Sequence, residues 1–150
     1  QEIGSCMTRQ AIEASFPSLR SSRYQITSPS TPEYNCIAWA AGEDDVWWWP
    51  DINYQYFWPA GIPREETLAA FIAAFNSLGY STCSHGELED RYSKVAIYVD
   101  QNGKPTHAAR QLPDGKWTSK LGSIEDISHE IHCLTGSIYG NVAVFMRKPV

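Results

Sequence analysis

The dipeptide Asn102-Gly103 constrains this chain more than any other feature. It stands between Lys94-Val95-Ala96-Ile97-Tyr98-Val99-Asp100, which alternates as a strand, and Thr106-His107-Ala108-Ala109-Arg110-Gln111-Leu112, which reads as its return. Asn-Gly accepts the positive φ angles of tight hairpin turns, so two neighbouring antiparallel strands follow. A two-residue turn sets Tyr98 opposite His107 and Ala96 opposite Ala109. Side chains alternate along strands, so Ala96, Tyr98, His107, Ala109 and Gln111 share one face, and Val95, Ile97, Val99, Ala108 and Arg110 the other. Pro113-Asp114-Gly115 turns the chain again into Lys116-Trp117-Thr118-Ser119-Lys120-Leu121-Gly122. A three-residue loop there brings Ser119 beside His107. A four-residue loop brings Thr118 and Lys120 to that face instead, because a slip of one residue inverts a strand.

The other elements gather around this meander. Thr8 to Ala14 carries a short helical pattern, ended by Phe16-Pro17, and residues 18–34 are a Ser/Thr/Pro-rich extended lead-in. Residues 63–79 form the plainest helix: Pro in the first turn, acids after it, an apolar stripe of Leu68, Phe71, Ile72, Phe75 and Leu78, and Gly79 at the end. Ser123 to Leu134 reads as a further helix, with Ile124, Ile127 and Ile131 on one side, and Val142 to Met146 as a last strand. Residues 43–62, with Trp47-Trp48-Trp49 and interrupting prolines, make an irregular aromatic excursion. Helices first and an antiparallel meander after them give an α+β fold, one domain over residues 1–150.

Within this frame, Tyr34-Asn35-Cys36-Ile37-Ala38-Trp39-Ala40-Ala41-Gly42 is where chemistry is expected. Asn35 is a helix N-cap and Gly42 a helix stop, which puts Cys36 at a helix N-terminus, where the dipole favours thiolate over thiol. Cys36 is therefore expected to be the most readily alkylated of the four cysteines. Nucleophilic cysteine chemistry also needs a base and a group to orient it. His107 is the best-placed histidine, on an alanine-lined face open to close approach by the Cys36 turn. Ser119 is the favoured orienting group, with Thr118 and Lys120 as the alternatives in the other register. Trp39, Trp47, Trp48 and Tyr98 are candidate substrate contacts.

The 150 residues carry a net charge of −5 and no Lys/Arg run, which gives no footprint for nucleic acid. No apolar run approaches the ~20 residues of a membrane helix. Cys6, Cys36, Cys83 and Cys133 are widely spaced with no CxxC, and read as free thiols, in keeping with a cytoplasmic setting. The opening Gln1 leaves a removed leader, and so secretion, open.

A cysteine at a helix start, then a histidine on a strand, then a polar residue on the next strand, resembles the papain-like fold of cysteine hydrolases and transferases. The blocks Asn-Cys-Ile-Ala-Trp-Ala, Thr-His-Ala-Ala-Arg-Gln-Leu and Lys-Trp-Thr-Ser-Lys-Leu-Gly also resemble an uncharacterised family of short bacterial proteins, over residues 34 to about 147. The first resemblance implies Cys36 as nucleophile and His107 as base, acting on an amide or ester of a peptide, protein or other amide-containing substrate, with no cofactor. Two departures stand out. Ser119 occupies the place where those enzymes more often carry Asn, Asp or Gln. No Gln precedes Cys36 at the usual oxyanion-hole spacing, so the Cys36 backbone N–H and the Asn35 side chain are the donors on offer.

Two other readings compete. A non-catalytic binding domain would use the aromatic stretch 46–58 as its contact surface. A small zinc-stabilised protein would draw on His129, His132 and Cys133 with Cys83 and His85, although this spacing lacks the usual paired knuckles.

Overall fold

The computed structural model describes residues 2–150, with side chains from Arg9 onward. Seven strands form one antiparallel sheet: β1 (Gln25–Ser28), β2 (Ser81–Cys83), β3 (Tyr92–Val99), β4 (Pro105–Gln111), β5 (Trp117–Lys120), β6 (Asp126–His129) and β7 (Asn141–Pro149). Their order is β1-β6-β5-β4-β3-β7-β2. Three helices, α1 (Glu2–Ser15), α2 (Cys36–Ala40) and α3 (Leu68–Asn76), complete an α+β fold. No described helix is long and apolar enough to cross a membrane.

The expected hairpin register holds where it matters, with Tyr98 opposite His107 and Ala96 opposite Ala109. The tip differs from a two-residue turn. Asp100 N–H donates to the Lys104 carbonyl, Asp100 Oδ1 accepts from the Asn102 and Lys104 amides, and an irregularity after Tyr98 absorbs the odd residue. The second turn is the three-residue loop, closed by Leu112 N–H to the Lys116 carbonyl at 2.7 Å.

Residues 123–134 are not the expected helix. They form β6 and a 3-10 turn, Ile131–Leu134. All four β6 residues are buried, so the strand shows no polar–apolar alternation, and its isoleucine spacing imitates a helix. The helix expected over 63–79 is shorter, because Thr67 caps it by accepting from the Ala70 amide at 3.2 Å. Residues 63–66 stay outside, with Arg64 paired to Asp51 at 3.0 Å. The lead-in 18–34 contributes the edge strand β1, and the last strand reaches Pro149.

Two apolar cores flank the sheet. One joins α2, α3, Trp48 and Trp58 to Val95, Ile97, Ala108 and Met146. The other joins Ile12, Phe16, Leu19, Cys133 and Leu134 to Ala96, Tyr98, Ala109, Trp117 and Ile127. α2 thus packs on the Ala108 face, not on the His107 face expected for it. Arg110 and Thr118 on that face hold it: Arg110 Nε donates to the Trp39 carbonyl at 3.3 Å, and Trp39 Nε1 to Thr118 Oγ1 at 2.9 Å.

Candidate active site

Cys36 opens α2 directly after its cap. Asn35 Oδ1 accepts from the Ala38 amide at 3.2 Å and from the Trp48 amide at 3.0 Å, while Asn35 Nδ2 donates to the Trp48 carbonyl at 2.7 Å. The residue expected as an oxyanion donor is therefore a clamp that fastens the aromatic excursion to the helix start. The backbone N–H groups of Cys36 and Ile37 precede the first intrahelical donor, Trp39 to the Asn35 carbonyl, and face the Cys36 sulfur.

The Cys36 thiol is buried, and burial pushes its pKa up to about 11. Hydrogen bonds from the backbone of Ala108, Ile37 and Cys36, and the charge of Lys120, pull the other way without prevailing. The five-residue helix does not make the thiolate expected from its dipole; desolvation outweighs it. The Ala108 contact fixes where the sulfur lies. It sits where the β4–β5 ladder stops after Arg110–Thr118 and Gln111–Trp117, one residue along from His107.

His107 is fully buried on the opposite face of β4. Its Nε2 lies 2.9 Å from Ser119 Oγ, and that oxygen lies 2.7 Å from His129 Nε2. His129 Nδ1 in turn lies 2.7 Å from the Glu130 carbonyl. Tyr139 stacks on the imidazole at 4.0 Å and Tyr98 meets it edge-on at 5.1 Å. His107 Nδ1 is buried with no hydrogen-bond partner among the described residues. Burial, with His129 alongside, holds the His107 pKa well below the ordinary histidine value, so the ring is neutral at neutral pH.

The two alternatives to Ser119 lie on the Cys36 side of β5. Thr118 receives Trp39. Lys120, also fully buried, donates to the Thr31 and Gly122 carbonyls at 2.7 and 2.8 Å and lies over the Tyr34 ring. Nearby, Asp126 accepts from the Tyr34 hydroxyl at 2.7 Å and from Ser28. Trp48 and Tyr98 are buried at 4% and 0% exposure, and the Tyr98 hydroxyl is spent on the Ile131 carbonyl. Trp39 and Trp47 keep partly exposed faces.

His129 is the member that sequence reasoning placed elsewhere, in a metal group. The signal for it lay in Leu121-Gly122-Ser123, a turn closed by Leu121 N–H to the Glu125 carbonyl, which folds 126–129 back beside Ser119. Cys83 and His85 belong to the far side of the sheet, beyond β5, β4, β3 and β7. Among the described residues no three His, Cys, Asp or Glu side chains converge on a metal position. Cys36, Cys83 and Cys133 carry free thiols, and Cys6 lies outside the described side chains.

A family model described as a domain of unknown function, DUF7689, matches residues 25–147, which include every side chain of the His107 relay and Cys36. No curated protein and no solved structure matches the chain.

Proposed function

The chain belongs to the DUF7689 family of domains of unknown function, and we propose that it is a papain-like cysteine hydrolase or acyl transferase with Cys36 as nucleophile and His107 as base. The observation that carries this reading is the bare Nδ1 of His107. A buried ring nitrogen without a partner is costly, and functional sites are where such a cost is kept.

Cys36 and His107 share no hydrogen bond at rest; in the proposed reaction they meet across the gap where the β4–β5 ladder stops, and the Cys36 sulfur attacks the carbonyl carbon of an amide or ester while its proton passes to His107 Nδ1. The developing oxyanion is met by the backbone N–H groups of Cys36 and Ile37, which face the sulfur at rest. Collapse breaks the C–N or C–O bond, and the leaving amine or alcohol takes the proton from His107. Water or an amine then attacks the thioester, giving its proton to His107, and the thiol is restored. With a thiol pKa near 11 and a neutral imidazole, the resting pair is uncharged, so proton transfer accompanies attack rather than preceding it.

The test uses p-nitrophenyl acetate as an acyl donor. Acetylation of Cys36, mapped by mass spectrometry, is expected, with Cys36→Ala and His107→Ala each losing roughly 10²-fold or more in rate. Acetylation of another residue, or full activity in Cys36→Ala, would sink the reading.

A second reading, a binding domain, is favoured by one observation. Ile52, Tyr54, Tyr56 and Phe57 project from the aromatic excursion at 80%, 76%, 42% and 46% exposure, with Arg64 stacked on Tyr54 at 4.2 Å. Function that survives Cys36→Ala but not Tyr54→Ser with Tyr56→Ser would choose it.

A further inference from the structure

We propose that His129 is a positioning residue: through the Ser119 hydroxyl it keeps the single proton of His107 on Nε2 and leaves Nδ1 bare. This rests on the reading of His107 as the base.

The proton count runs inward from the backbone. The Glu130 carbonyl only accepts, so His129 Nδ1, 2.7 Å away, carries a proton and donates it. His129 is 0% exposed, and burial lowers its pKa to about 4, so the ring is neutral and its Nε2 is a lone pair. Ser119 Oγ, 2.7 Å from that lone pair, has one hydrogen and spends it there. At 2.9 Å from His107 Nε2 the same oxygen is left as an acceptor, so Nε2 must hold the hydrogen. The His107 ring is neutral, so Nδ1 has none.

A hydroxyl alone has no such preference. It can donate to one histidine nitrogen as readily as accept from it. The second histidine, anchored on a backbone carbonyl, gives Ser119 the acceptor-only character that an Asp carboxylate has by its own chemistry. The departure of Ser119 from the usual orienting residues is thereby compensated one side chain further out. Geometry supports the rigidity this needs: Ser119 and Ile127 are opposed across the β5–β6 ladder, and Trp117 and His129 form the pair two residues along.

The experiment is histidine ring 15N NMR on the whole protein at pH 7.5, with His107 assigned by comparison with His107→Gln. The expected result is His107 as the Nε2–H tautomer in the unmodified protein. In His129→Phe, which keeps ring volume without an acceptor, Ser119 is free to donate, and the Nδ1–H tautomer should rise at least tenfold relative to Nε2–H. His129→Gln, whose carbonyl can take the Ser119 hydrogen, should restore the original ratio. In the p-nitrophenyl acetate assay, His129→Phe should lower kcat by about the loss in Nε2–H population, with KM unchanged. An Nδ1–H tautomer in the unmodified protein overturns the proposal, and this measurement needs no variant to fold. With the Nε2–H tautomer present and Cys36→Ala fully active, the nucleophile assignment falls and the relay stands.

Discussion

The ring of Tyr139 lies nearly parallel to the imidazole of His107, centroids 4.0 Å apart and planes within 10°. A tight loop puts it there: Gly136 and Gly140 exchange backbone hydrogen bonds at 2.9 and 2.8 Å, and Thr106 Oγ1 donates to the Tyr139 carbonyl. Gly140 has φ +77°, and a Cβ at this position would run into the Val99 carbonyl oxygen.

Removing that ring should cost stability and free the imidazole. Tyr139→Ala is expected to lose about 3 kcal/mol in urea denaturation, and Tyr139→Phe less than about 1 kcal/mol, since the stack needs only the ring. Gly140→Ala should displace the loop and remove the Tyr139 ring-current shift from the His107 ring protons. An unchanged shift in that variant would show that the loop does not depend on the glycine.

Acid should unfold the protein through its buried histidines. His129 has a folded pKa of about 4 against an unfolded value of 6.5, so its stabilising contribution is complete above pH 6.5 and declines as pH falls towards 4. The full span is about 3 kcal/mol at 1.36 kcal/mol per unit. His107, depressed for the same reason, adds in the same direction. Denaturation midpoints should hold from pH 7.5 to about 6.5 and fall from there to 4.5, and His129→Gln should flatten that slope by its share. A flat profile in the parent protein would show that these rings are hydrated.

Alkylation should reverse the order expected for a cysteine at a helix start. At pH 7.5 iodoacetamide should reach the partly exposed Cys83 well before Cys36, whose rate should climb with pH towards 11. Peptide mapping at timed quenches reads this directly. Faster modification of Cys36 than of Cys83 at neutral pH would mean that the thiol is not desolvated in solution.

Asn35 should prove to be a structural clamp. Asn35→Ala removes both acceptor bonds and the donor bond to Trp48, and is expected to cost about 2–4 kcal/mol, because the Trp48 amide and carbonyl are left buried without partners. Asn35→Asp keeps the acceptor but sets a carboxylate oxygen against the Trp48 carbonyl, so its deficit should shrink as pH falls and the carboxyl gains a proton to donate. Thermal melts at pH 7.5 and 5 distinguish the two.

Much of the half of the fold around His107 is legible because turn chemistry sets register locally. Asn102-Gly103 and Pro113-Asp114-Gly115 suffice to bring Tyr98, His107 and Ser119 to one face. What escapes local pattern is what distant residues satisfy. β6 reads as a helix because Asp126 and Ser128 are buried like Ile127 and His129, and nothing near them in sequence announces that Tyr34 and Ser28 will pair with Asp126. The side of the sheet taken by α2 was equally hidden. It follows from Trp39 bonding to Thr118 and Arg110 to Trp39, contacts spanning more than 70 residues of chain. For Cys36, the end of a helix was visible and its depth in the protein was not.

The short β4–β5 ladder divides the sheet into two leaves, β1-β6-β5 and β4-β3-β7-β2, joined by two ladder pairs, the turn bond from Leu112 to Lys116, the side-chain bridge from Ser119 to His107, and Trp39, which bonds Thr118 on one leaf and Arg110 on the other. The seam has the fewest ladder pairs in the sheet, and native-state hydrogen exchange should find a sub-global opening there. Amides of Ala108 and Ser119 should then exchange at a lower free energy than those of Ala96 and Ile97 inside the fully paired β3. That opening parts the leaves at the Cys36 sulfur, so access to the thiol becomes a matter of how often the sheet breathes rather than of a permanent cleft.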